Sequence, residues 1–224
     1  MSFLLSKGSL IVSCQARADN PLHGPQYMGP MALAARDGGA AGIRANGVDD
    51  VRAVKAAGLP VIGINKVFSD EYPVYITPDF ASAAALVEAG ADIVALDCTP
   101  RSRNGEAPEV IVRRIREELG AEVFADISTL EEGIAAEQMG ATYISTTLAG
   151  YTEYTTKTPG PDLALVEALA ARVKAPIIAE GRYNTPELAR SAIDAGAYAV
   201  VVGTMITNPR EITKVFARQV LGQK

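Results

Sequence analysis

The chain has 224 residues, 48% of them hydrophobic and 21% charged, and carries a net charge of −5. That length suits one large core, and an α/β barrel of ~250 residues is normally a single domain. The acidic balance without a basic cluster argues against a nonspecific nucleic-acid binder, and no apolar run approaches the ~18 residues of a membrane span.

Eight short apolar runs predict strands at 10–14, 41–43, 61–65, 93–96, 123–125, 143–145, 177–179 and 199–202. Helical patterns fall between and after them, at 29–37, 49–57, 79–89, 108–119, 130–139, 162–173, 185–195 and 209–220. The opening residues 1–7 hold only three successive apolar residues, too few for the core of an export signal. Cys14 and Cys98 lie in or beside strands and are expected as buried free thiols, which points to the cytoplasm. His23 stands alone in a Pro/Gly loop, so no metal site is expected.

A repeat runs through the chain. Gly39-Ala40, Gly90-Ala91, Gly140-Ala141 and Gly196-Ala197 recur at spacings of 51, 50 and 56 residues, each closing a helix and opening a strand. Glycine ends a helix cheaply because it accepts the left-handed conformation. Gly8, Leu59-Pro60, Gly120-Ala121 and Ala175-Pro176 introduce the other four strands. Thr129 with Glu132 and Asn208 with Glu211 fit the capping box, and Pro186 and Pro209 sit at first helical positions. Strands rich in Val and Ile, alternating with helices, predict a parallel sheet buried on both faces. Eight units predict its closure into a single phosphate-binding (β/α)8 TIM barrel spanning 1–224.

Each run stops on a residue capable of chemistry or binding. In order these are Gln15, Arg44, Lys66, Asp97, Asp126, Thr146, Glu180 and Gly203. In such a barrel the strand ends converge on the catalytic face. Long loops at 16–28, 67–78 and 148–161 follow strands one, three and six and belong to the same face. Lys66, partly desolvated at a barrel mouth, would act as a base of lowered pKa or form a Schiff base with a carbonyl substrate. Glu180, behind four apolar residues, serves either as an acid or as half of an ion pair, with Lys66 a candidate partner. Arg44, Gln15 and Asp126 would line the site, while Asp97 reads more readily as a hydrogen-bonding post for its own loop. Gly181 and Gly203, each shortly before a helix, would let backbone N–H groups approach a phosphate. No dinucleotide, nucleoside-triphosphate or zinc motif is present, so chemistry without a cofactor is expected.

The runs Ser13-Cys-Gln15, Gly42-Ile-Arg-Ala-Asn46, Asn65-Lys66, Ala125-Asp126, Gly150-Tyr-Thr152 and Ala179-Glu-Gly181 occur in the order found in one family. The chain resembles the N-acetylmannosamine-6-phosphate 2-epimerases of bacterial sialic-acid catabolism, from residue 8 to about 216. The resemblance implies a cofactor-independent isomerase that interconverts N-acetylmannosamine 6-phosphate and N-acetylglucosamine 6-phosphate at C2. It implies Lys66 as the base at C2 and Glu180 as the assisting acid/base. Gln15, Arg44 and Asp126 would hold the sugar, and Gly181 and Gly203 the phosphate; Arg182 and Thr204 are further candidates for substrate binding, and Arg182 or Arg210 would replace a phosphate cation lost elsewhere. It also implies a homodimer. Two positions depart from the family: Thr204, where a second glycine is common, and Asn208, where an arginine is common. Other readings are a Schiff-base enzyme on the same fold, such as an aldolase, and a non-catalytic sugar-phosphate sensor.

Overall fold

A computed structural model describes residues 3–222. Eight parallel strands, β1 (Ser9–Cys14), β2 (Gly42–Asn46), β3 (Val61–Ile64), β4 (Ile93–Asp97), β5 (Glu122–Asp126), β6 (Tyr143–Ser145), β7 (Ile177–Glu180) and β8 (Ala199–Val202), pair in sequence order and close between β8 and β1. The helices are α1 (Pro25–Asp37), α2 (Val48–Val54), α3 (Phe80–Glu88), α4 (Pro108–Glu118), α5 (Leu130–Met139), α6 (Leu163–Arg172), α7 (Pro186–Asp194), α8 (Thr204–Thr207) and α9 (Pro209–Val220). The closed (β/α)8 barrel expected from the sequence is therefore the observed fold.

The four Gly-Ala pairs do the same work four times. Gly39, Gly90, Gly140 and Gly196 have φ between 92° and 104°. Each glycine N–H donates to the carbonyl three residues back, and each following alanine N–H to the carbonyl five back. That pair of bonds closes a helix and turns the chain directly into β2, β4, β6 or β8. Thr129 and Glu132 form the complete reciprocal capping box on α5. Asn208 caps α9 only from its own side, accepting from the Glu211 N–H. Cys14 and Cys98 are free and buried; burial pushes the Cys14 thiol up to about 12 and raises the Cys98 thiol as well, which disfavours the thiolate in both.

Three details differ from the expected elements. Helix α1 begins at Pro25 rather than 29, which shortens the first loop. The second helix ends at Val54 and tightens into a 3₁₀ turn over Lys55–Ala57. A short helix, α8, precedes α9 and was not apparent from periodicity, since four residues are too few to show one.

Side chains alternate in and out along each strand. Ile11, Ile62, Ile64, Ile93, Ala95, Phe124, Tyr143, Ile178, Ala199 and Val201 fill the barrel interior with Leu5. The phenol of Tyr143 accepts from the Leu5 N–H and donates to Glu122, and Tyr198 donates to the Leu5 carbonyl. The chain leading into β1 thus plugs the N-terminal end. The opposite end stays open.

Candidate active site

Above the apolar filling, the next inward positions are polar. Arg44 on β2 is only 1% exposed. Its guanidinium donates to both oxygens of Asp126 on β5, Nη1 to Oδ1 at 3.0 Å and Nη2 to Oδ2 at 2.6 Å. Nη1 also donates to Oε2 of Glu180 on β7 at 2.7 Å. The cation packs over the Phe124 ring, 5.0 Å from its centroid. Burial alone would lower the pKa of Arg44, but Asp126 and Glu180 together outweigh it and raise it. Glu180 is therefore ion-paired, with Arg44 and not with Lys66. Its Oε2 is committed, while Oε1 makes no hydrogen bond among the described residues.

Burial raises the pKa of Glu180, and the neighbouring charge of Asp126 adds to the rise. Arg44 opposes it but does not win, because its charge is already shared in a two-bond pair with Asp126. Lys66 shows the converse. Burial, with the like charge of Arg44, lowers its pKa to about 8 against the pull of Glu180 and Asp126. Its Nζ donates to Gln15 Oε1 at 2.7 Å, and Gln15 in turn donates to the Ser13 hydroxyl at 2.8 Å. The Lys66 N–H is held by Asn46 Oδ1 at 3.0 Å. The loop after β3 folds back on this lysine: Lys66 pairs antiparallel with Ile76, and bonds from Val67 N to Tyr75 O and Thr77 N to Asn65 O flank the bridge.

Thr147 is the residue that sequence reasoning missed. Its hydroxyl lies 2.6 Å from Asp126 Oδ1, 3.2 Å from Glu180 Oε2 and 2.9 Å from the Ser145 hydroxyl. The neighbouring Thr146 bonds instead to the backbone N–H and carbonyl of Glu180, fastening β6 to β7. Asp97 is a post for its own loop, accepting from Thr99 and Arg101.

These groups open into a cavity of about 970 Å³. Gln15, Arg44, Lys66, Thr147, Glu180, Gly181, Arg182, Gly203 and Thr204 line it, and Asp126 lies beneath, behind Arg44. Gly181 has φ 111° and Arg182 φ 62°, so the turn after β7 is left-handed twice. Arg182 spends two donors on the loop after β6, Nε on the Gly160 carbonyl and Nη1 on that of Ala149. Arg210 is directed to Asp19 and does not line the cavity. Among the described residues no cluster of three or more His, Cys, Asp or Glu side chains is placed to hold a metal.

Residues 28–222 match the NanE family, described as "Putative N-acetylmannosamine-6-phosphate epimerase". A relative from Clostridium perfringens (strain SM101 / Type A), named "Putative N-acetylmannosamine-6-phosphate 2-epimerase", is 50% identical over 94% of this chain and 96% of its own. One of the same name from Caldanaerobacter subterraneus is 52% identical over 94% and 90%. The solved structure of the N-acetylmannosamine-6-phosphate 2-epimerase from Clostridium perfringens superposes with a TM-score of 0.93 at 47% identity, covering 96% of this chain and 94% of that one. Thiamine phosphate pyrophosphorylase from Pyrococcus furiosus, at 18% identity and a TM-score of 0.61 over 92% of this chain and 90% of that one, shares the barrel fold alone. The match over most of the chain and the identity of these relatives place the protein in the NanE family.

Proposed function

We propose that this protein interconverts N-acetylmannosamine 6-phosphate and N-acetylglucosamine 6-phosphate, with Lys66 moving the C2 proton and Glu180 acting as the acid. The observation that carries the reading is a pair of groups on opposite walls of one cavity whose pKa values are displaced towards each other. Lys66 is lowered to about 8 and Glu180 is raised. Displaced acid and base values in one cleft mark acid/base work. The lowered value frees a fraction of the Lys66 amine near neutral pH, and the raised value eases proton uptake by Glu180, beside the Arg44–Asp126 pair.

A C2–H bond becomes acidic only beside a carbonyl, so the pyranose must open to its aldehyde. Glu180, with Oε2 held by Arg44 and Oε1 unbound, can give a proton to the ring oxygen as the C1–O5 bond breaks and take the O1 hydroxyl proton as the C1–O1 double bond forms; the carboxyl so restored can donate to the enolate that then develops at O1. Lys66 removes the C2 hydrogen, and once the open-chain enolate has turned its other face to the lysine, the ammonium, its protons by then exchanged with solvent, protonates that face. Gly181, Gly203, Thr204 and the remaining Nη2 of Arg182 form the phosphate end. The first N–H groups of α8 have no partner within the helix and are available there. Arg44, Asp126 and Thr147 act chiefly on Glu180, fixing one of its oxygens.

Proton NMR in deuterated water tests this: the gluco epimer should appear with deuterium at C2. A Lys66→Ala protein exchanging that hydrogen at the wild-type rate would refute the role of the lysine. Borohydride trapping of a substrate adduct would favour the Schiff-base reading, which needs the same neutral amine.

We further propose a cytoplasmic homodimer. In a closed barrel the last helix normally covers β8 and β1. Here no residue of α9 is buried, and Phe216 and Val220 are 66% and 83% exposed. Isolated large apolar groups are ordinary on a surface, but Val215, Phe216 and Val220 recur at helical spacing as an exposed stripe on one side of α9. A second copy of the chain covering that stripe accounts for it. Sedimentation should give the mass of a dimer, and Phe216→Asp should shift it towards the monomer.

A further inference from the structure

The loop after β3 carries an aromatic pair that the epimerisation chemistry does not use. Phe68 and Tyr75 stack with ring centroids 5.1 Å apart and planes 19° from parallel. Both line the cavity. The pair is held in place by the ribbon through which Lys66 pairs with Ile76. Phe68 nevertheless leaves 71% of its surface exposed. The phenol of Tyr75 makes no hydrogen bond among the described residues. Burial and the nearby Asp126 charge raise its pKa, so it keeps its proton and is a donor.

The proposed reaction fixes what must lie against this pair. The phosphate end is at β7 and β8, and the base is across the barrel on β3. The substrate therefore points C6 at one wall and C2 at the other. The nitrogen substituent hangs from C2, the reacting carbon, so it must lie beside Lys66. Two polar neighbours on that side are already engaged: Gln15 Oε1 accepts from the Lys66 amine and Asn46 Oδ1 from its N–H. Besides Arg17 and the Asn46 amide NH2, which also line the cavity, that side offers an apolar ledge carrying the Tyr75 hydroxyl. An N-acyl group matches it, with a small hydrocarbon end and one carbonyl acceptor.

We propose that Phe68 and Tyr75 form the N-acyl subsite, the stacked rings supporting the acyl chain and the Tyr75 hydroxyl donating to its carbonyl oxygen. This rests on the reaction proposed above. Because the outer face of Phe68 is open, the subsite has no end wall. It should accept acyl groups longer than acetyl.

The test compares ligands that differ only at C2. Dissociation constants are measured by calorimetry for N-acetylglucosamine 6-phosphate, its N-propanoyl analogue and 2-deoxyglucose 6-phosphate, which lacks the acylamino group. Wild-type protein should bind the N-propanoyl ligand within about threefold of the N-acetyl one. Tyr75→Phe, which keeps the ring and the stack, should weaken both acylated ligands by about three- to tenfold. It should leave 2-deoxyglucose 6-phosphate unchanged. Phe68→Ala should weaken the N-propanoyl ligand more than the N-acetyl one, again sparing the 2-deoxy sugar. Equal weakening of all three ligands would reduce the pair to a loop support and overturn the proposal, as would no change in any. The binding readout needs no turnover. Absence of epimer from wild-type protein would therefore count against the reaction, while the ligand comparison still decides the subsite.

Discussion

Replacing Gln15 by glutamate tests the identity of the base with little change of shape. The Gln15 oxygen sits 2.7 Å from the Lys66 amine, and in Gln15→Glu a carboxylate oxygen takes the same place. An opposite charge at that range favours the ammonium form and raises a pKa by about 1–3 units. Lys66 starts from about 8, so roughly a tenth of it is neutral at pH 7, against about one in two thousand for an ordinary lysine. A base works only when neutral, so activity should rise with pH through the lysine pKa. In Gln15→Glu the rising limb of kcat/KM should move up by about 1–3 units and the rate at pH 7 should fall by roughly 10- to 1,000-fold. The assay is the initial rate of C2 hydrogen exchange followed by NMR. Gln15→Met, which removes the acceptor without adding charge, is the control and should not raise the limb. A Gln15→Glu protein that loses activity while its limb stays at the wild-type pH would show that Lys66 is not the titrating base.

Arg44→Met should destabilise the fold by about 3–5 kcal/mol, because it leaves the fully buried Asp126 without its cation. Thermal melting should show the loss, and adding Asp126→Leu should recover much of it; an unchanged midpoint in the single variant would contradict the pairing. In Gly63→Ala the new Cβ would sit 2.8 Å from the Ala91 Cβ and 3.3 Å from the Leu86 Cβ. Such crowding costs about 1–3 kcal/mol, measurable as a lower denaturation midpoint, with reduced kcat because β3 carries Lys66.

The barrel was readable because its signals are local and repeat. Four Gly-Ala pairs at nearly equal spacing mark four helix ends and four strand starts, and each pair adopts the same geometry. The site was readable by the residue that follows each apolar run, but that rule has a parity. Inward positions advance by two, so Phe124 leads to Asp126 and Ile178 to Glu180. After β6 the same step from Tyr143 through Ser145 arrives at Thr147, whereas the first residue past the run is Thr146. Counting by twos would have found Thr147. The partner of Glu180 was not legible in this way. Arg44, Asp126 and Glu180 come from three separated strands, and which of two cations takes a carboxylate depends on side-chain reach. The outward course of α9 was also hidden, since an amphipathic helix has the same pattern whether its apolar face meets its own barrel or another chain.

The depressed basicity of Lys66 has a consequence outside proton transfer. Near pH 8 about half of these amines carry a free lone pair, while an ordinary lysine offers less than about one in a hundred. Small uncharged electrophiles that enter the cavity, such as isocyanic acid or an activated ester, would meet a lysine with a ready lone pair. The arrangement that keeps part of an amine unprotonated for a sugar also opens it to acylation, and a bound sugar phosphate would be its natural shield.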